Sequence, residues 1–189
     1  IRLPASSDWD IGANDYTLEF WFKATNAYMP QYFFSYGDPH FGGQVTFGYN
    51  KDWSNVLNIY YQPNPTATSS PFSPTIEIFS PAAGQNFVSD QWYHIAFTRS
   101  GSDNYIFVDG LEHASVTDST NYAYNTDVWA HIGAGLLENL ATVEDYVAKD
   151  MYIDDFRFTK GVARYTAPFA KPTEAFSTNP PSNTQFTEK

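Results

Sequence analysis

Cysteine is absent from this 189-residue chain, which excludes disulfides, thiolate metal sites and cysteine nucleophiles without fixing a compartment. Charge is scarce as well: Asp, Glu, Lys and Arg together make up 16%, where a globular chain usually carries about a quarter. Basic residues are the rarest part, 10 against 21 acidic, for a net charge of −11. An acidic chain is repelled by phosphate backbones and by anionic lipid surfaces, so nucleic acid is not an expected partner. No apolar run approaches the ~18 residues that span a bilayer, so membrane insertion is not expected. No signal peptide opens the chain, and Ile1-Arg2-Leu3-Pro4 reads as the interior of a longer polypeptide. The sequon-like triplet Asn64-Pro65-Thr66 is blocked by its proline. Helical periodicity is nearly missing; Leu136–Val147 is the stretch that could carry it.

Aromatic side chains are abundant instead: 16 Phe, 14 Tyr and 5 Trp, 19% of the chain, within a hydrophobic fraction of 42%. That composition builds a core and excludes disorder. The length suits one domain. Period-two alternation runs through it. Tyr16, Leu18, Phe20 and Phe22 share one face of a strand, and Thr17, Glu19, Trp21 and Lys23 share the other. Tyr32–Tyr36, Gln44–Tyr49, Val56–Tyr61, Thr75–Phe79, Trp92–Arg99, Tyr105–Val108, Leu111–Ser115 and His131–Gly133 repeat the pattern with β-branched and aromatic residues. The last long strand is Met151–Thr159, whose alternation assigns Tyr152, Asp154, Phe156 and Phe158 to one face and Ile153, Asp155 and Arg157 to the other. Asp109-Gly110, between two strand-like runs, predicts a two-residue type I′ hairpin, because both positions tolerate φ > 0. About a dozen short strands with turns between them predict an all-β, two-sheet antiparallel jelly-roll sandwich. Two long polar loops are expected at 62–74 and 118–127, lengths that often carry function. Residues 1–176 are expected to form the domain and 177–189 a linker-like tail, with linker character beginning near Lys171.

Three blocks in this order resemble a known family: Tyr16-Thr17-Leu18-Glu19-Phe20-Trp21-Phe22-Lys23; Trp92 to Arg99 followed by Phe107-Val108-Asp109-Gly110; and Tyr152 to Tyr165, ending Lys-Gly-Val-Ala-Arg-Tyr. They are similar to laminin-G-like domains of the concanavalin A-like lectin/glucanase superfamily, in the variant found in phage and marine microbial surface proteins. The resemblance, from about Ile1 to Phe176, implies two stacked antiparallel sheets, sugar or protein binding at the loop rim or concave sheet, and in many members a calcium ion. Fold alone does not settle function.

Catalytic signatures are missing. The Glu-x-Asp-x-x-Glu strand of related hydrolases, which sets three carboxylates on one face, is not present, and neither are Gly-x-Ser-x-Gly, His-Glu-x-x-His or a phosphate-cradling glycine loop. No catalytic residue is therefore assigned. His94 alternates against Tyr93, Ile95 and Phe97 and is expected on the opposite sheet face, hydrogen-bonded. The resemblance implies calcium at Asp154, which stands three residues before Arg157 as the calcium-binding Asp does in laminarinase-like relatives; an N-terminal loop would supply carbonyls, and Asp15 is the candidate for a further ligand. A carboxylate at the margin of an apolar face needs such a partner; the alternative is that Asp154 caps a backbone amide or pairs with a cation. Asp155 with Arg157 would form a solvated ion pair.

Sugar recognition needs a flat aromatic face and fixed amide or carboxylate groups for hydroxyls. Trp53 in a polar turn, Tyr61 beside the Pro-rich loop, and Tyr122, Tyr124, Asn125 and Asp127 in the second loop are the candidate platform; alternatively these aromatics fold back over the sandwich ends. The leading reading is a non-catalytic carbohydrate-binding module of a larger extracellular or virion surface protein, with glycans as partners. The second is a structural or protein-interaction module such as a capsid decoration, fibre or tail component, binding other subunits. The third is a glycanase or lyase fragment.

Overall fold

Alternation in strand β2 (Tyr16–Ala24) places Tyr16, Leu18, Phe20, Phe22 and Ala24 in the core. The structure, a computed structural model, describes residues 1–26, 31–38, 43–49, 57–63, 76–77, 87–122, 128–134 and 150–177; within these, the side chains of 31, 38, 43–44, 49, 57–63, 76–77 and 128 are outside the description. The loop segments 64–74 and 123–127 and the helix candidate Leu136–Val147 also lie outside the described residues.

The other strands are β1 (Arg2–Ser6), β3 (Gln31–Asp38), β4 (Gly43–Tyr49), β5 (Leu57–Pro63), β6 (Ile76–Glu77), β7 (Tyr93–Ser100), β8 (Asp103–Val108), β9 (Leu111–Thr117), β10 (Val128–Ile132) and β11 (Met151–Lys160). One sheet has the order β1-β10-β3-β4-β5-β6 and the other β11-β2-β7-β8-β9, all neighbours antiparallel. This is the jelly-roll sandwich that the alternation predicts. Strand β1 is the addition: Pro4 interrupts its pattern, and proline is tolerated there because β1 is an edge strand.

The core between the sheets is aromatic. Phe33 lies 4.9 Å from Phe20 and 4.8 Å from Phe22 between ring centroids, and Phe47 lies 5.2 Å from Phe97. A register shift between Tyr32 and Phe34 lets the adjacent Phe33 and Phe34 both enter the core. The β8–β9 hairpin turns at Asp109 (φ 51°) and Gly110 (φ 80°), the two positive values that the type I′ reading requires.

Strand β11 departs from simple alternation. Between Asp154 and Arg157 the register with β2 shifts, and Asp155 takes φ 53°. This bulge reverses the phase of the strand halfway along. Ile153 before it and Phe156 and Phe158 after it all pack on the core. Tyr152 and Asp154 are exposed, so Asp154 does not share a face with the two phenylalanines, and Arg157 pairs with Glu19 rather than with Asp155.

Candidate functional site

The outer face of the five-stranded sheet begins with the polar half of β2: Thr17, Glu19, Trp21 and Lys23. A half-polar face ordinarily meets solvent. Here residues 161–177 cross it as a strap. Thr17 Oγ1 donates to the Val162 carbonyl (3.0 Å) and accepts from Arg164 N (2.9 Å). Phe169 N donates to the Gly110 carbonyl at 2.9 Å, and its ring stacks on Tyr165 at 3.6 Å and meets Phe107 at 5.3 Å. Phe176 N donates to Asp155 Oδ2 (2.9 Å), and the Phe176 ring lies 4.4 Å from the Arg157 guanidinium. Residues 171–177 are therefore part of the folded domain, and the linker-like character expected from Lys171 does not hold for them. Lys171 Nζ reaches Asp109 Oδ2 at 3.0 Å, but both side chains are well exposed, at 41% and 29%. Lys171→Ala should thus change stability by no more than about 0.5 kcal/mol, and a larger loss in thermal melting would show that the strap depends on this pair.

Under the strap lies a buried ionic cluster. The Glu19 carboxylate is fully buried and receives Arg157 Nε (2.8 Å) and Nη2 (2.6 Å) on Oε1, and the Tyr165 hydroxyl (2.9 Å) on Oε2. His94 Nε2 lies 3.3 Å from Oε2, and Arg164 Nε lies 3.7 Å from Oε1. Burial alone would raise the Glu19 pKa; the hydrogen bonds from His94, Arg157 and Tyr165 and the Arg157 charge outweigh it and hold the carboxyl below its ordinary range. Burial, then the Glu19 charge and hydrogen bond, push the Tyr165 hydroxyl well above the usual tyrosine range. The cluster is closed off and every Glu19 oxygen is engaged. It anchors the strap.

Beside the strap, the sheet face remains open. A groove of about 480 Å³ is lined by Trp21, Trp92, Asp154, Asp155, Thr173 and Glu174. Register builds it. Tyr152 lies opposite Lys23 and Asp154 opposite Trp21 across β11–β2, while Trp21 lies opposite His94 and Phe22 opposite Tyr93 across β2–β7, which brings Trp92 beside Lys23. Lys23 Nζ is 5.1 Å from the Trp92 ring centre and 4.6 Å from that of Tyr152; Lys171 Nζ is 5.1 Å from that of Trp21. Trp92 (36% exposed) and Tyr152 (55%) present ring surface to solvent. Aromatic faces next to carboxylates and a hydroxyl are the groups that hold a pyranose by its C–H face and its hydroxyls.

The residues expected from the sequence fall elsewhere. Trp53, Tyr124, Asn125 and Asp127 lie outside the described residues. Tyr61 is in β5 opposite Val45, in the register row of Tyr36 and Ala130. Tyr122 is 1% exposed, donates its hydroxyl proton to Asp118, and has the Arg99 guanidinium 5.5 Å from its ring centre. A ring so enclosed offers no face to a sugar, so Tyr122 is a packing residue and not part of a platform. Burial first, and the Asp118 hydrogen bond next, keep its hydroxyl protonated far above the usual range. Arg99 itself is buried at this end of the sandwich, donating to the carbonyls of Gly101 (2.8 Å) and Thr120 (2.8 Å).

Asp15 and Asp154 do not form a calcium site together. Asp15 precedes the start of β2 and holds Gly101 N at 2.7 Å, whereas Asp154 lies opposite Trp21 near the other end and accepts Asp155 N at 2.8 Å. Six residues of strand separate them, about 20 Å, where calcium requires ligands at about 2.3–2.6 Å. Among the described residues no group of three His, Asp or Glu side chains is placed to hold a metal ion. His94, fully buried, lies on the outer face as alternation requires.

The groove residues Trp21, Trp92 and Glu174, and Tyr152 next to them, are not among the candidates that sequence reasoning supplies. One signal was available: Trp21 sits on the polar face of β2, between Glu19 and Lys23, where a large aromatic has no core to fill.

Two stacked antiparallel sheets with an aromatic groove on one outer face define a jelly-roll sandwich of the lectin type. The chain belongs to the concanavalin A-like lectin/glucanases superfamily, whose laminin-G family model matches residues 1–162. The strap thus lies almost wholly beyond the match. Domain 4 of AbnA, a GH43 extracellular arabinanase from Geobacillus stearothermophilus solved with arabinotriose, is similar at 15% identity and TM-score 0.59, over 86% of this chain and 66% of that one. The heptameric SAP-like pentraxin from Limulus polyphemus is similar at 13% identity and TM-score 0.50, over 83% and 67%. Domains LG4-5 of the mouse laminin alpha1 chain are similar at 12% identity and TM-score 0.51, over 92% and 44%. This chain therefore spans just under two thirds of the arabinanase-domain chain and less than half of the laminin pair. At these identities the likeness is one of fold. No curated protein sequence matches the chain.

Proposed function

We propose that this chain is a non-catalytic carbohydrate-binding module that takes a short run of sugar residues in the groove beside the strap. The observation that carries the reading is the row Tyr152–Lys23–Trp92 with Asp154, Thr173 and Glu174 alongside: ring faces for the sugar's C–H groups and fixed oxygens for its hydroxyls. The arabinanase domain of the same fold, solved with arabinotriose, supports it by analogy. The non-catalytic part rests on the missing hydrolase carboxylate spacing and on Glu19, whose oxygens are fully occupied by Arg157, Tyr165 and His94. The resemblance of the closing block to phage and marine microbial surface proteins supports a parent protein exposed outside the cell or on a virion, where other subunits are further partners.

A glycan array with the isolated chain tests this. Binding to defined sugars is expected, and Trp92→Ala should weaken it by about tenfold or more, as truncating an aromatic anchor does, while the melting temperature shifts by only about 2 °C. An array without a hit would overturn the reading and leave a module for protein contacts, such as a capsid decoration, fibre or tail component. Undiminished binding by Trp92→Ala would move the site off this groove.

A further inference from the structure

Where β2 begins and β7 ends, away from the groove, the core face turns polar. Tyr16 lies opposite Arg99 across β2–β7, and Arg99 opposite Asn104 across β7–β8, so the three side chains form one row on one face. Tyr16 places that face in the core. Core rows are ordinarily apolar; this one carries a phenol, a guanidinium and an amide, exposed by only 0%, 2% and 0%. Most of its polar atoms are engaged. Arg99 Nε donates to the Gly101 carbonyl, and Nη1 to those of Thr120 (2.8 Å) and Gly12 (3.4 Å). Asn104 Nδ2 donates to the carbonyls of Ser102 (3.2 Å) and Asp118 (3.4 Å), two acceptors that fix which end of the amide is nitrogen. Asp118 receives Thr120 N on Oδ1 and the Tyr122 hydroxyl on Oδ2. Two fully buried side chains nevertheless keep an atom that no described residue meets: Tyr16 Oη and Asn104 Oδ1. Arg99 Nη2 lies between them in the row and makes no hydrogen bond to a described residue. A buried polar atom without a partner carries its full desolvation penalty, and native cores pair nearly all such groups.

We infer that this row is a binding site for an ordered water, which accepts from Tyr16 Oη and Arg99 Nη2 and donates to Asn104 Oδ1. The three groups define the class of occupant. A cation would meet the fixed guanidinium, and an anion would meet the Asn104 oxygen with the Asp118 carboxylate behind it. An apolar group would leave both oxygens unpaired. A small neutral molecule that donates and accepts satisfies all three, and three partners are what a buried water typically has. Burial first raises the Tyr16 pKa far above the usual tyrosine range, with Arg99 opposing and Asp118 adding to it, so the hydroxyl keeps the proton it donates. The water joins β2 to the β7–β8 pair and, through Arg99 and Asn104, to the carbonyls of Thr120 and Asp118. This end of the sandwich is thus closed by a polar network, where the rest of the core is closed by rings.

Tyr16→Phe tests the site, because it keeps the ring against Phe47 (5.9 Å between centroids) and removes only the hydroxyl. With the water in place, the melting temperature should fall by about 2–4 °C. A hydroxyl with no partner gives the opposite sign, since deleting an unsatisfied buried group stabilises; an unchanged or raised melting temperature would overturn the inference. A wild-type melting temperature that climbs with chloride at constant ionic strength would put an anion in the row and overturn it as well. A crystal structure of the whole chain, at a resolution that shows ordered water, decides the case even if the variant does not fold. It should show a water within ~3.2 Å of both Tyr16 Oη and Asn104 Oδ1, and a dry row would end the proposal.

Discussion

Replacing Glu19 by alanine is expected to destabilise the protein by about 3 kcal/mol and to lower its melting temperature by about 6–12 °C. The loss comes from what remains behind. Arg157 places Nε and Nη2 on Glu19 Oε1 at 2.8 and 2.6 Å, Tyr165 donates to Oε2, and the Arg157 side chain is only 18% exposed. Without the carboxylate, a largely buried guanidinium and a phenol lose their partner together. Since Thr17, Arg157 and Tyr165 are the ties that hold the strap over β2, tryptic cleavage after Arg164 should accelerate in the variant, while the Lys171-Pro172 bond stays resistant in both proteins. The same group sets an acid dependence. Glu19 has a folded-state pKa below its ordinary value, so its contribution is present above the unfolded value of about 4.3 and is lost as pH falls through the lower folded value. In denaturant melts from neutral pH down to pH ~3, the stability gap between wild type and Glu19→Ala should therefore narrow once pH falls below the unfolded value. A constant gap across that range would show that the carboxylate's charge contributes nothing.

Gly110→Ala is expected to cost a similar amount, about 3 kcal/mol, from two sources: left-handed backbone and overpacking. Gly110 has φ 80°, and a Cβ there would stand 2.1 Å from the Phe169 carbonyl oxygen. That oxygen is backbone and cannot rotate aside. The strap must lift, breaking the 2.9 Å hydrogen bond from Phe169 N to the Gly110 carbonyl. Gly101→Ala is the control, since Gly101 also has positive φ (60°) but nothing within 4 Å of its would-be Cβ. It should cost only the backbone part, about 1–2 kcal/mol. Equal losses at the two positions would show that the strap does not press on the hairpin, and the added loss at Gly110 should appear together with faster cleavage of 161–177.

Both variants act on the strap, the part of the domain least legible in the sequence. Its residues read as a linker from Lys171 because threonine, proline, serine and asparagine are frequent from there on and no alternation marks a strand. Tyr165, Phe169 and Phe176 recur too irregularly to signal a face, yet all three rings lie within 6.5 Å of His94. Asp154 departs from the alternation for a different reason. Alternation along Met151–Thr159 is a sound guide only while the register holds, and the bulge at Asp155 consumes one residue and reverses the phase. Asp155-Phe156 carries no glycine to mark the positive φ. Tyr122 reads as a loop aromatic because its neighbours are polar; one of them, Asp118, is the acceptor for its buried hydroxyl, and the Thr120 backbone carbonyl receives the buried Arg99, contacts that polarity in the sequence does not reveal.

Local chemistry was enough to determine the fold class, the inward face of β2 and the Asp109-Gly110 hairpin. Each depends on residues within a few positions of one another: a period of two, or a pair that tolerates φ > 0. The groove depends on strands that are far apart in the chain. Tyr152, Lys23 and Trp92 become neighbours only because β11 and β7 flank β2 in one register, and Glu174 joins them only because the strap returns across the sheet. A period of two assigns a side chain to one of two faces. Which distant segment covers that face, and where the cover stops to leave a groove, is decided by long-range pairing and packing that alternation does not encode.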